Sequence, residues 1–269
     1  MNTLAKKVGV KTLQILNWCF FLAMLVTNYL ANALPFNGKT TGQLSGQYPN
    51  LFVPAGITFS IWGIIYLLLL FFCIKQSKYL LTKNTDSSTH ALVDKVGFRF
   101  IVSCILNMLW IIYWHYENLF LSVIIMILLL ITLIDIVGRI SYLSKIHDVN
   151  VPMVVKASFG LYLGWICIAT IANITAVLVF WGWNALGKTE EFWACLMVLI
   201  GGLISTWALN RLHNAFIGAA VLWAFLGIII QRIGAAEYHR FIVWTTVFAI
   251  IVVGAGLILE TTKAAFKKI

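Results

Sequence analysis

"VPAGITFSIWGIIYLLLL", residues 53–70, opens like the first turn of a helix and runs on as a membrane span. A proline in a first helical turn costs no hydrogen bond, and Gly56 leaves room for another backbone to come close. Trp62 and Tyr66, four residues apart, share one helical face. A helix that only crossed hydrocarbon would need none of these residues. The segment is therefore expected to face something other than lipid along part of its surface.

The rest of the chain supplies the membrane context. It is 61% hydrophobic and 10% charged, with a mean hydropathy of +0.94, whereas a soluble domain carries about a quarter charged residues. A helix needs about 20 apolar residues to cross ~30 Å of hydrocarbon. Eight segments qualify, at residues 13–33, 55–74, 98–114, 119–137, 153–180, 192–209, 215–230 and 241–259. Transmembrane barrels show alternating strands of about ten residues rather than unbroken apolar runs. The expected fold is all-α, a polytopic helical bundle in the bilayer.

The net charge of +10 is a topology signal. With the N-terminus placed inside, Lys39, Lys188, Arg232 and Arg240 fall outside, and the other 15 of the 19 Lys and Arg fall inside. That asymmetry fits eight spans with both termini cytoplasmic and gives no reason to expect nucleic acid as a partner. The first run ends in Ala31-Asn32-Ala33, which resembles a signal-peptidase site, but the run exceeds the usual apolar region of a signal peptide. It is read as a span. Five cysteines, Cys19, Cys73, Cys104, Cys167 and Cys195, stand singly in apolar segments and are expected to pack as small hydrophobes.

The loops alternate in character. "LPFNGKTTGQLSGQYPNLFV" is long and polar, with Lys39 as its one charge, and belongs outside. "KQSKYLLTKNTDSSTHALVDK" is basic and belongs inside, as a polar connection. "HYEN" and "RLHN" are tight turns that set their flanking helices antiparallel. No internal repeat of the kind that builds many transporters is visible.

Two further spans repeat the pattern of the first. Asn107, Trp110 and Trp114 stand at i, i+3 and i+7; Tyr162, Trp165, Ala169 and Asn173 stand at i, i+3, i+7 and i+11. Three helices thus each present aromatic and amide groups on one stripe. Trp114, Trp181 and Trp183 lie near span ends, where indoles commonly sit at headgroup level. Trp62, Trp110 and Trp165 lie deeper and need partners for their N–H groups. The amides serve either as interhelical ties or as pocket walls, and the pattern alone leaves both open.

These residues resemble a known family. Pro49-x4-Pro54-x-Gly56-x5-Trp62-x3-Tyr66 is similar to the second-helix signature of the TspO/MBR family, the tryptophan-rich sensory or translocator proteins. "LNMLW", residues 106–110, and "YLGWICIATIAN", residues 162–173, resemble its third- and fifth-helix motifs. The likeness covers roughly residues 12–182, the five-helix unit of that family. It suggests residues 1–187 as that unit, with 188–269 as three additional transmembrane helices. The aromatic-rich Trp-x-Pro-Pro-Trp start of many members is replaced here by Leu51-Phe52-Val53-Pro54-Ala55.

The resemblance implies a hydrophobic pocket inside the bundle that takes porphyrin, haem or a similar flat molecule as ligand, with no cofactor required. Trp62 and Trp165 would stack on the macrocycle, and Asn107 and Trp110 would form the far wall. Tyr66, Tyr162 and Asn173 would complete the pocket. Lys39, Thr40, Thr41 and Gln43 in the first loop, with Pro54, would form the lid and its polar mouth. A receptor or sensor in the plasma membrane is the function this implies, with transport of small amphipathic molecules and light-dependent porphyrin degradation as the alternatives. Dimerisation, known in the family, is a further implication.

Two ionisable sites remain. Asp135 stands about 24 Å along its span at helical rise, near the inner edge, with Arg139 at i+4 as the natural partner. His115 in the outer turn offers a lone imidazole for a haem iron, with Glu117 nearby to orient it, or is a solvated turn residue. Five scattered His and nine acids assemble into no hydrolytic or metal centre.

Overall fold

The computed structural model describes residues 9–77, 80, 87–146 and 149–266. The chain forms α1 (Val10–Ala33), a short α2 (Thr41–Gly46), α3 (Ile61–Ser77), α4 (Ser87–Val96) and α5 (Arg99–His115). It continues as α6 (Leu119–Ile146), α7 (Met153–Phe180), α8 (Glu190–Arg211), α9 (Ala215–Ile233) and α10 (Arg240–Phe266). Seven spans are long and apolar enough to cross a membrane, and α4 with α5, bent by 48°, passes the same test only as a pair. The polytopic helical bundle read from hydropathy is therefore the fold. Of the cations used in the topology argument, Lys6, Lys7, Lys78, Lys83, Lys267 and Lys268 lie outside the described residues.

Helix starts follow local chemistry where polar caps exist. Thr40 and Gln43 form a reciprocal capping box at α2, Thr189 accepts from the Phe192 amide at α8, and Asn214 accepts from the Phe216 amide at α9. The two tight turns are closed by non-glycine residues in the left-handed region, Glu117 (φ 57°) and His213 (φ 51°).

The basic connection after α3 differs from its expected loop form, since its second half is α4. Leu92, Val93 and Val96 lie on one helical side and are buried, with Val93 packed among Leu13 and Ile101. Gly97 (φ 55°) then bends the chain into α5.

The opening stretch also departs from its reading. Pro54 is not in the first turn of α3; residues 56–60 form a 3₁₀ turn, and the α-helix begins at Ile61. The reason is tertiary. The Ala55 N–H donates to the Gly227 carbonyl at 3.0 Å, and the Trp223 indole donates to the Thr58 carbonyl at 2.9 Å. Helix α9 thus holds this strap from the side. The close approach expected at Gly56 occurs at Gly227: a Cβ there would stand 2.0 Å from Thr58 Oγ1, while one on Gly56 would meet nothing within 4 Å.

Helix α7 is the central post, packed against α3, α6, α8 and α9. Its contact with α9 is a small-residue seam. A Cβ on Gly164 would stand 2.3 Å from the Ile217 carbonyl oxygen, and one on Gly160 would strike the Asn214 amide. That amide donates to the Lys156 carbonyl at 2.9 Å, tying the α9 cap to α7. Helices α8, α9 and α10 pack on one another, and α8 and α9 pack on α7.

Candidate functional site

The three stripes meet where the middle of the bundle lies under the loop between α1 and α3. Trp62 is the hub. Its ring stacks on Tyr66 (5.5 Å, 25°) and Trp110 (5.9 Å, 29°), and stands edge-on to Tyr162 (5.8 Å) and Trp165 (6.1 Å). Trp110 stacks in turn on Trp114 (6.2 Å, 19°), so Tyr66, Trp62, Trp110 and Trp114 form one ladder of near-parallel rings. Offset stacks and edge contacts of this kind suit the aromatic quadrupole and are worth about 0.5–1.5 kcal/mol each beyond burial.

The amides on the same stripes tie the helices together. Asn28 donates to Asn107 (2.7 Å), which donates to the Tyr162 hydroxyl (2.9 Å), joining α1, α5 and α7. Trp110 donates to Asn173 (3.0 Å), which donates to Ser122 (2.9 Å), joining α5, α7 and α6. Asn107 acts as a tie, and Asn173 is both a tie and part of the wall that the indoles form.

Between those walls lies a small cavity of about 40 Å³, lined by Trp62, Trp110, Trp114, Trp165 and Asn173 with Phe59, Thr41 and Pro54. Such a volume holds about one water molecule. Two of the lining residues carry a buried polar atom without a hydrogen-bond partner, the Trp165 indole N–H and the Thr41 hydroxyl. Beside it a cleft of about 480 Å³ opens between α1 and α3, lined by Asn28, Asn32 and Tyr66 and sharing Trp62, Phe59 and Thr41 with the cavity. Trp62, Phe59 and Thr41 thus face both spaces.

The lid is held by charge. Lys39 pairs with Glu117 at 2.9 Å and donates to Gln47 at 3.1 Å, and the Tyr48 hydroxyl donates to the other Glu117 oxygen at 2.9 Å. The Lys39 and Tyr48 hydrogen bonds hold the Glu117 carboxyl below its ordinary pKa. Burial, reinforced by the Glu117 carboxylate, pushes Tyr48 up to about 12. Trp114 donates to the Thr41 carbonyl (3.4 Å), and Asn37 donates to the His115 carbonyl (3.3 Å), so the loop is fastened to the end of α5 at several points.

Among the residues expected at the site, Trp62, Trp110, Trp165, Asn173, Thr41 and Pro54 line the cavity, and Tyr66 lines the cleft. Asn107 and Tyr162 stand behind the wall as the tie described above. Lys39 points to Glu117, and Thr40 and Gln43 are used by the capping box, so none of the three lines either space. Trp114 departs from its interfacial reading: it is 5% exposed and forms part of the cavity wall, whereas Trp181 is 60% exposed. The signal was present, because Trp114 continues the Asn107–Trp110 stripe at i+7. Phe59 and Asn28 carry no sequence signal of their own, and only the packing of the strap and of α1 brings them in.

His115 is fully buried, with Nδ1 at 2.7 Å from the Ile111 carbonyl and its ring edge-on to Phe36. It is not a solvated turn residue, and Glu117, held by Lys39 and Tyr48, does not orient it. Asp135 is gripped by both Arg139 (2.8 Å) and Arg99 on α5; the second partner was not visible in the spacing.

No curated protein and no solved structure matches the chain. A family model described as TSPO-like protein matches residues 14–259, from α1 through most of α10. The match covers most of the chain and runs over the same helices that build the aromatic site, and the chain belongs to the TSPO-like protein family.

Proposed function

We propose that this membrane protein is a receptor or sensor for a flat, hydrophobic, aromatic ligand of the tetrapyrrole type, bound against the Trp62–Trp110–Trp165 walls. The observation that carries this reading is the unpartnered indole N–H of Trp165, one of the four tryptophans that line the cavity. Leaving a buried donor unpaired costs about 1–3 kcal/mol. A ligand bringing an acceptor and a large π-face would recover that cost and replace ring–ring contacts with its own.

Size sets the condition for binding. Ligand pockets run from about 300 Å³ upward, and the cavity has about 40 Å³. A macrocycle therefore needs the walls to move, and displacing Trp62, which lines both spaces, would join the cavity to the neighbouring cleft. The cavity lining contains no His, Cys or Met, so its chemistry suits a metal-free ring or an iron already ligated elsewhere. The excess of Lys and Arg at one set of helix ends supports a cytoplasmic face there, and on this reading the first loop opens toward the outer leaflet of the plasma membrane.

The test is a titration of the purified protein with protoporphyrin IX, following tryptophan emission, alongside Trp165→Phe and Trp62→Ala. Saturable quenching is expected, weakened about five- to tenfold by Trp165→Phe, which keeps an aromatic ring but loses one hydrogen bond worth about 1 kcal/mol. Trp62→Ala should weaken binding, because the ring that stacks on both Tyr66 and Trp110 is gone. Absence of saturable quenching, or Trp165→Phe binding like the parent, would overturn the proposal.

A further inference from the structure

A groove of about 370 Å³ lies between α7 and α8, beside the loop that leads into the strap. Ile171 and Ile174 line it from α7, Met197 and Ile200 from α8, and Phe52 from the loop. Asn50 is the one residue that lines both this groove and the aromatic cavity. Ile174 and Val179, on its α7 wall, are 38% and 37% exposed, so the groove opens toward the bilayer.

The spans set its depth. Helix α8 has 22 residues, about 33 Å at helical rise, enough to cross ~30 Å of hydrocarbon. Glu190 is its first residue, and Ile200, the deepest α8 residue of the groove, stands about 15 Å further along. On α7, Ile171 lies a similar distance from the helix end at Phe180. The groove is thus as deep as one leaflet of hydrocarbon. Its two ends differ in chemistry. The deep end is aliphatic, and the one polar side chain of the α7 wall, Thr175, donates to its own helix at the Ile171 carbonyl (2.8 Å). The mouth holds Glu190 with Trp183 and Trp193, whose ring centres are 4.9 Å apart. Trp193 donates to the Ala185 carbonyl (2.8 Å), which fixes its ring in the wall.

The charges at the mouth balance. Glu190 is the one charged residue that lines the groove, and Lys188, two residues earlier, is exposed beside it. Among the described residues no ion pair joins the two. Of the other charged groups at this end, Glu191 contacts His239 at 3.8 Å, Lys39 is paired with Glu117, and Arg240 lies over the Phe241 ring. None of these lines the groove, nor does Glu237 or the buried Arg232. One acid and one base, with two indoles and an aliphatic slot one leaflet deep, match a headgroup that carries both charges above an acyl chain. A fatty acid or an anionic lipid would set its charge against Glu190 with nothing to offer it in return. We propose that this groove binds one acyl chain of a zwitterionic phospholipid, its ammonium against Glu190 and the Trp183–Trp193 pair and its phosphate toward Lys188. An ammonium on an exposed indole face is worth about two- to fivefold in affinity. The site stands apart from the aromatic cavity's ligand and does not depend on it.

The experiment uses the full chain, delipidated in a neutral detergent and titrated with dilauroyl phosphatidylcholine or dilauroyl phosphatidylglycerol, with bound lipid counted by native mass spectrometry. Saturable binding of the choline lipid is expected, in preference to the glycerol lipid. Glu190→Gln should weaken choline-lipid binding about two- to fivefold and abolish the preference. Ala194→Phe and Ile174→Trp fill the slot from opposite walls, and each should weaken binding about tenfold or more, the worth of two displaced methylenes. A melting transition in detergent confirms that each variant is folded, and if one wall variant fails to fold the other decides. Phe248→Trp, on the exposed face of α10, should bind as the parent does. Equal binding of the two lipids, parent-like binding by a folded wall variant, or an equal loss in Phe248→Trp would overturn the proposal.

Discussion

Gly227→Ala is the substitution that most sharply tests whether α9 builds the aromatic site. The new Cβ would stand 2.0 Å from Thr58 Oγ1, 2.8 Å from its Cγ2 and 2.9 Å from its Cβ. Rotating the threonine side chain relieves the first two contacts but not the third, so the strap at residues 56–60 must move. That movement strains the Ala55–Gly227 and Trp223–Thr58 hydrogen bonds. Overpacking of this kind costs about 1–3 kcal/mol, and each lost bond in a bilayer adds about 0.6 kcal/mol. Together this comes to about 2–4 kcal/mol. At roughly 3 °C per kcal/mol for a chain of this size, the melting temperature in detergent should fall by about 6–12 °C. Protoporphyrin affinity should fall with it, because Phe59 and Trp62 follow the strap. Thr58→Ala in the same background removes two of the three clashing atoms and should recover at least half of the loss. A Gly227→Ala protein that melts within about 1 °C of the parent would refute the reasoning.

Other perturbations test the ties and the latch. Asn173→Ala leaves the buried Trp110 N–H without its acceptor and should cost about 1–3 kcal/mol, read as a lowered melting temperature; parent-like stability would remove Asn173 as a tie. Glu117→Gln should lower stability by about 0.2–1 kcal/mol at neutral pH, the range for a part-exposed ion pair. Because the Glu117 pKa is depressed in the folded state, the parent's advantage is full above the ordinary glutamate value of about 4.3 and disappears as pH falls through the folded value. Parallel melts at pH 7 and near pH 3 check this, and a difference that persists in acid would show the latch lies elsewhere. The Tyr48 contribution has the opposite sense, full below about pH 10 and lost as pH rises toward 12. Asp135→Asn should destabilise by about 0.5–1 kcal/mol and Arg139→Gln by less, since Arg99 still reaches the carboxylate; equal losses would show that Arg99 contributes nothing.

How much of this architecture was legible follows from the range of the forces involved. The spans were readable because the hydrophobic requirement of a bilayer acts residue by residue, and unbroken apolar runs satisfy it locally. The aromatic stripes were readable for the same reason: helical spacing alone puts Asn107 with Trp110, and Trp165 with Asn173, on common faces. Which stripe faces which is decided between helices, and there the reading thinned. Trp114 near a span end looks like an interfacial indole until the lid is seen lying over it and accepting its N–H through the Thr41 carbonyl. Lys39 looks like a ligand contact until Glu117, 78 positions away, is seen to hold it. The strap shows the limit most clearly. Every residue of "VPAGITFS" permits a helical start, and Pro54 favours one, yet the Ala55 N–H goes to Gly227, 172 positions later. A glycine that far along the chain decides the conformation of the segment from which the fold was first read. The last helices therefore act on the aromatic pocket through contact: α9 holds the strap, the strap carries Phe59 and leads into Trp62, and both residues line the cavity.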